Sequence, residues 1–191
     1  MKLINIINSY TEGSTTPLYY LKADTALLRN NDAFYIPDDV GRVVAEPHIV
    51  LKVSRLAKYI GERFAARCIE GVMGGVAFTA IDKLDEARHK GLPWDEAVGF
   101  DHSSALSLDT LPAEAINKGA VFYINGEERA RINIADMCFT PERVVSHLSE
   151  CMTLRIGDLI YLGSPVQFDA KAGDNYRLMI GDHTLLNFDI K

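Results

Sequence analysis

Apolar residues along this chain fall mostly into short runs separated by turn residues, the pattern of a β-rich protein. Leu3, Ile4, Ile6 and Ile7, bounded by polar residues, predict an opening strand. Runs at 18–21 and 33–36 are rich in Tyr, Phe and Leu or Ile and predict two more, the second ended by Pro37-Asp38-Asp39. A further strand is expected at 49–53, followed by a turn at 54–58. Over 61–69 the spacing changes: Phe64, Ala65 and Cys68 recur on one side, which predicts a helix that Gly71, Gly74 and Gly75 then break. The β-branched Val76, Thr79 and Ile81 predict a buried strand at 76–81. Residues 83–90 read as a helix stopped by Gly91, with Asp82 in position to cap it. Leu92-Pro93-Trp94 opens a new segment that reaches Phe100-Asp101.

From Gly119 onward the pattern is β throughout. The run 121–124 enters Asn125-Gly126, a strong hairpin turn signal, and the chain returns over 131–134. Thr140-Pro141 predicts a helix start, with Thr140 as N-cap, Pro141 in the first turn and Val144, Val145 and Leu148 on the buried side. Gly157-Asp158, Gly173-Asp174 and Gly181-Asp182 mark later turns. Neither an internal repeat nor a linker divides the chain. The expectation is one mixed, β-rich (α+β) domain over 1–191, with short helices near 61–69, 83–90 and 141–148.

Composition narrows the classes of function. A chain of 191 residues can bury a substantial core, and 48% apolar with 24% charged residues is ordinary for a globular protein. With 20 basic against 26 acidic side chains the net charge is -6, which opposes nonspecific nucleic-acid binding. No apolar run approaches the roughly 18–20 residues of a membrane span, and MKLINIINSY lacks the features of a signal peptide. A cytoplasmic protein with neither nucleic acid nor membrane as partner is expected. Cys68, Cys138 and Cys151 have no paired spacing and are expected to be free, buried thiols.

Several ordered signatures resemble the fumarylacetoacetate hydrolase family, specifically its short C-terminal-type members. They are Leu21-Lys22-Ala23, Asn125-Gly126-Glu127 with Asp136-Met137, Ser149, then Leu154 with Gly157-Asp158-Leu159-Ile160, Gly163-Ser164-Pro165, and Gly173-Asp174. The resemblance implies a twisted, rolled-up β-sheet fold and a homodimer. It also implies a divalent cation, Mg or Mn, held by carboxylates and acting on small 2-oxo or 1,3-dioxo acids. Such a cation would polarise keto and carboxylate oxygens and stabilise enolate charge.

Against that family pattern, the site positions are altered. Glu46 matches the first acidic ligand, and His48 stands where the second is expected. Two residues apart on a strand, they project to one side, so they are the candidate metal pair. Imidazole would favour a transition metal over Mg. The third ligand position is Ala77, the arginine position Ile81 and the lysine position Val98, while Leu84 stands where glutamine is frequent. Lys22, His102 and Ser164 are the candidate catalytic residues: a retained lysine, a polar residue after Phe100-Asp101, and a hydroxyl for a substrate carboxylate. Three readings follow. One is the family's cation-dependent chemistry, another is an altered activity or small-acid binding through Glu46 and His48, and the third is a noncatalytic protein that partners an active paralogue. The substitutions favour loss or alteration of the usual activity, with a cation bound weakly or not at all.

Overall fold

The computed structural model describes residues 1–191. In chain order the strands and helices are β1 (Leu3–Ile6), β2 (Tyr19–Lys22), β3 (Leu27–Leu28), β4 (Val43–Val53), α1 (Glu62–Ala65), β5 (Ile69–Ala80), α2 (Ile81–Lys90), α3 (Asp95–Val98) and β6 (Ser104–Leu106). They continue as β7 (Ala120–Ile124), β8 (Glu127–Ile132), α4 (Pro141–Cys151), β9 (Leu159–Tyr161), β10 (Phe168–Asp169), β11 (Asn175–Ile180) and β12 (His183–Asp189). An eight-stranded sheet runs β2-β1-β9-β4-β5-β6-β3, with β10 added to β4, and a four-stranded sheet runs β12-β11-β7-β8. The architecture is the expected mixed, β-rich one with short helices.

The centre of the large sheet is the long antiparallel pair β4–β5. Side chains alternate between its two sides. Ala45, Ile49 and Leu51 on β4, with Val72, Val76 and Phe78 on β5, join the main core together with Leu178, Leu185 and Phe188 of the second sheet. Each large aliphatic side chain removed from water there contributes about 1.5–3 kcal/mol. The opposite side of the same sheet carries a smaller apolar cluster, including Leu3, Val50, Met73 and Tyr161, and the buried polar residues Asn5, Lys22, His48 and Thr79.

Three sequence expectations change. The predicted helix at 61–69 is one turn, α1, followed by a 3-10 turn (Ala66–Cys68), and the chain becomes a strand at Ile69. Gly71, Gly74 and Gly75 lie inside β5 rather than ending an element. A Cβ on Gly74 would lie 2.7 Å from Leu178 Cδ2, and one on Gly75 would lie 2.6 Å from Tyr161 Cε1. These glycines let other elements press against the strand, a tertiary demand that local propensity does not register. The run 33–36 is not a strand, since only Phe34 forms a bridge, to Ile190.

Local caps divide in the same way. Thr140 caps α4 as expected, its hydroxyl accepting the Arg143 N–H at 3.1 Å with Pro141 in the first turn. Asp82 does not cap α2. It sits within the first turn, and its carboxylate accepts the Arg42 N–H at 2.9 Å. All three cysteines are free, but only Cys68 is buried, while Cys138 and Cys151 are exposed.

Candidate functional site

The ladder registers place the sequence-selected residues. Glu46 pairs with Ala77 and His48 with Gly75 across β4–β5, while Asn5 pairs with Tyr20 and Leu3 with Lys22 across β1–β2. Through β9, Asn5 meets Tyr161, which in turn meets Val50. Directly paired residues share a side of the sheet, and so do residues two apart. Asn5, Tyr20, Lys22, Glu46, His48 and Thr79 therefore all project to the side opposite the main core. Above it, α2 and α3 close a cavity of about 220 Å³, whose lining includes Asn5, Glu46, His48, Arg88, Trp94 and Ser164.

His48 is 3% exposed. The Gly163 N–H donates to its Nδ1 at 3.1 Å, and its ring meets Tyr161 edge-on at 5.4 Å between centroids. Gly163 has φ +100°, and a Cβ there would sit 3.0 Å from Ser9 Cβ and 3.1 Å from the Ile6 carbonyl oxygen, so the turn that orients His48 requires glycine. Burial, reinforced by the charge of Lys22, lowers the His48 pKa to about 3, and the ring is neutral. A neutral imidazole that accepts through Nδ1 carries its proton on Nε2. That Nε2 is buried and has no partner.

Asn5 is 1% exposed, and neither atom of its amide has a partner. Leaving a buried polar atom unpaired costs about 1–3 kcal/mol, so an amide in this position favours water or another polar group against it. Glu46 is largely withdrawn from water. Burial raises its pKa, while Lys22 and Arg88 oppose the rise. Arg88, exposed at the mouth, lies over the Trp94 ring at 5.1 Å. Ile81, Leu84 and Val98 form an apolar wall.

The structure brings Glu46, His48 and Ser164 together at this cavity but leaves Lys22 and His102 off its wall. Lys22 is 4% exposed, and its ammonium donates to the Phe78 carbonyl (3.1 Å), the Ser103 carbonyl (2.6 Å) and Ser103 Oγ (3.2 Å). Three acceptors occupy its three donors. Ser103 Oγ in turn donates to the Val98 carbonyl at 3.0 Å, so Lys22 ties β5 to the end of α3. Burial lowers the Lys22 pKa to about 7, against the pull of Glu46. His102 is exposed on a turn with φ +62°. Ser164 lines the cavity, but its hydroxyl is engaged within its own turn, donating to the Val166 carbonyl at 2.7 Å. Asn5 and Arg88 were not anticipated. The signal for Asn5 was present: one amide inside the otherwise apolar strand Leu-Ile-Asn-Ile. A larger groove of about 730 Å³, beside the start of α4, contains none of the candidate site residues.

Residues 5–190 match the fumarylacetoacetate (FAA) hydrolase C-terminal family. The chain belongs to that family. Oxaloacetate tautomerase YcgM of Escherichia coli (strain K12) is 26% identical over 174 residues, covering 88% of this chain and 80% of the relative. The crystal structure of a fumarylacetoacetate hydrolase family protein from Yersinia pestis CO92 superposes with a TM-score of 0.91 at 27% identity, covering all of this chain and 93% of that one. A second fold match is fumarylpyruvate hydrolase from Pseudomonas aeruginosa, solved with Mn2+ and pyruvate. It gives a TM-score of 0.89 at 20% identity, covering all of this chain and 89% of that one.

The residues present here do not fit such a cation. Magnesium and manganese favour several oxygen ligands. Here Glu46 stands opposite the methyl of Ala77, and the accepting lone pair of His48 is taken by Gly163. Glu46 and His48 share one side of β4 and one cavity, as their spacing predicts, but the imidazole presents an N–H rather than a ligating nitrogen. No three His, Cys, Asp or Glu side chains are grouped as a metal site. No helix is long and apolar enough to cross a membrane.

Proposed function

We propose that this member of the family has given up cation-dependent turnover of 2-oxo and 1,3-dioxo acids and uses its cavity for a small molecule without a cation. The observation that carries the reading is the Glu46–Ala77 register together with the Gly163 bond to His48 Nδ1. One carboxylate remains where a hard cation needs several oxygens. The cavity itself persists, with a polar floor, which favours a ligand site over a wholly structural relic.

The relatives' activities supply the substrates for a test. Turnover of oxaloacetate and of acylpyruvates is measured with Mg2+ or Mn2+ present, alongside calorimetric titration of each cation. The expected outcome is no micromolar cation affinity and no cation-stimulated rate near 1 per second, the lower end of ordinary enzyme turnover. Either positive result overturns the proposal. A homodimer is part of the same proposal, on family grounds, and a monomeric mass in solution would contradict it. Pairing with an active paralogue remains a separate proposal, tested by recovery of mixed dimers when both chains are produced together.

A further inference from the structure

Charge is spread unevenly over this chain. The net value is -6, yet residues 54–67 carry Arg55, Lys58, Arg63 and Arg67 against the single carboxylate of Glu62. The four cations are exposed, and none of them forms an ion pair. Two nearby carboxylates are engaged elsewhere: Glu70 pairs with Lys52, and the buried Asp158 pairs with Lys2. The same end of the molecule exposes apolar side chains. Leu56 is 68%, Tyr59 73% and Ile156 71% exposed, the three highest values among the large hydrophobic residues.

Backbone pairing gathers these residues. Ala57 and Leu154 exchange two hydrogen bonds, of 3.0 and 2.9 Å, and both side chains are buried. Their chain neighbours Leu56 and Arg155 therefore face outward beside each other. The Val53 carbonyl accepts the Gly157 N–H at 2.9 Å, so Ile156 runs alongside 54–55. The Cys68 carbonyl accepts the Ser54 N–H at 2.8 Å, which brings Arg67 next to the same segment. Arg63 and Arg67 lie over the Phe64 ring at 4.5 and 5.2 Å, and Lys58 lies over the Tyr59 ring at 4.2 Å. Leu56, Tyr59 and Ile156 line neither the 220 Å³ cavity nor the 730 Å³ groove.

We propose that this end of the molecule docks on a membrane surface rich in anionic lipid, with Leu56, Tyr59 and Ile156 entering the headgroup region and Arg55, Lys58 and Arg155 meeting lipid phosphates and carboxylates. Apolar tips flanked by Arg and Lys are what the interface of an anionic bilayer holds. An acidic peptide helix needs a groove to receive its apolar side chains, and these tips line neither concavity. Single-stranded nucleic acid needs free aromatic faces for stacking. Here Tyr59 and Phe64 already carry cations over their rings, and Leu56 and Ile156 have no ring to offer. The net charge of the whole chain points away from an anionic partner only because it averages this end with the acidic remainder. Contact at the surface needs no spanning helix, and it is independent of what the cavity binds.

Sedimentation of the full chain with phosphatidylcholine vesicles, with and without phosphatidylserine, tests this. Binding is expected only with phosphatidylserine present, and it should fall as salt is raised, because exposed charges are screened. Leu56→Ser with Ile156→Ser, and separately Arg55→Gln with Arg155→Gln, should each weaken it about tenfold or more. All four side chains are exposed, so neither double variant is expected to disturb folding. Tyr35→Ser is the control. Tyr35 is 66% exposed but lies toward the other end of β4, where its neighbour Phe34 stacks on Phe78 opposite Ala45. An absence of binding to either vesicle, equal binding to both, or binding that both double variants leave unchanged would overturn the proposal. So would binding to a single-stranded oligonucleotide in place of vesicles, or self-association that the Leu56 and Ile156 substitutions abolish in a chain that ignores vesicles. Amide hydrogen exchange in the unmodified protein gives a check that needs no variant. Slower exchange over 54–59 and 153–157 is expected on phosphatidylserine vesicles, and protection confined to other segments would overturn the assignment of this surface.

Discussion

Ala77 lies directly across the β4–β5 ladder from Glu46, with its methyl on the same side of the sheet as the Glu46 carboxylate. Ala77 is fully buried. A carboxylate at position 77 would therefore face Glu46 at the cross-strand spacing of about 4.5–5.5 Å between Cβ atoms, close enough to share a cation. The same register places His48 two pairs further along, beside Gly75 and on the same side.

Restoring oxygen ligands is expected to restore cation binding. The double variant His48→Glu, Ala77→Asp should bind Mn2+ at least about tenfold more tightly than the unmodified chain, since affinity follows the number of charged oxygen ligands. Calorimetry measures this. Equal affinity in the two proteins would show that the cation site, if any, lies elsewhere.

His48 makes stability depend on pH in a defined window. Its folded pKa, about 3, lies below the ordinary 6.5, so between those values the unfolded chain holds a proton that the folded chain does not. Stability attributable to this residue therefore falls as the pH is lowered from 6.5 toward 3, with a limiting slope of about 1.4 kcal/mol per pH unit. Denaturant unfolding of the unmodified protein and of His48→Gln across this range should show a flatter profile for the variant.

Lys22→Met should lower stability by about 2–4 kcal/mol, because it leaves the Phe78 and Ser103 carbonyls buried without their donor. Chemical denaturation gives the value. A change under 0.5 kcal/mol would mean that the clamp between β5 and α3 contributes nothing measurable.

Gly163→Ala should destabilise the fold by more than about 1 kcal/mol, since φ +100° is unfavourable to alanine and its Cβ would crowd Ser9. The same variant should disturb the His48 ring, visible as a shift of its 15N signals. Gly61→Ala, at a position with open space and ordinary φ, is the control expected to have little effect on stability.

Thr140→Ala should cost about 1 kcal/mol through loss of the α4 cap. Thermal unfolding is sufficient to read it, and the cavity ligand should bind as before because Thr140 is not on the cavity wall.

Local rules settled much of this protein before any tertiary contact was considered. Alternation put Glu46 and His48 on one side of a strand, Asn125-Gly126 made a hairpin, and Thr140-Pro141 began a helix, because each depends on the geometry of a few consecutive residues. The ordered family signatures likewise fixed the fold, and the substitutions at 48, 77, 81 and 98 were visible as residue types. Register and packing decided the rest. Only pairing across three strands brought Asn5 of β1 to the cavity that holds His48 of β4. Only the opposing sheet explained why Gly74 belongs inside β5. Lys22 looked like a cavity residue until Phe78 and Ser103 were found to occupy its ammonium, and His48 looked like a ligand until Gly163, 115 positions away, was found to donate to its Nδ1. Hydrogen-bond partners distant in sequence determine what a side chain can still offer, and a linear pattern of residue types carries no record of them.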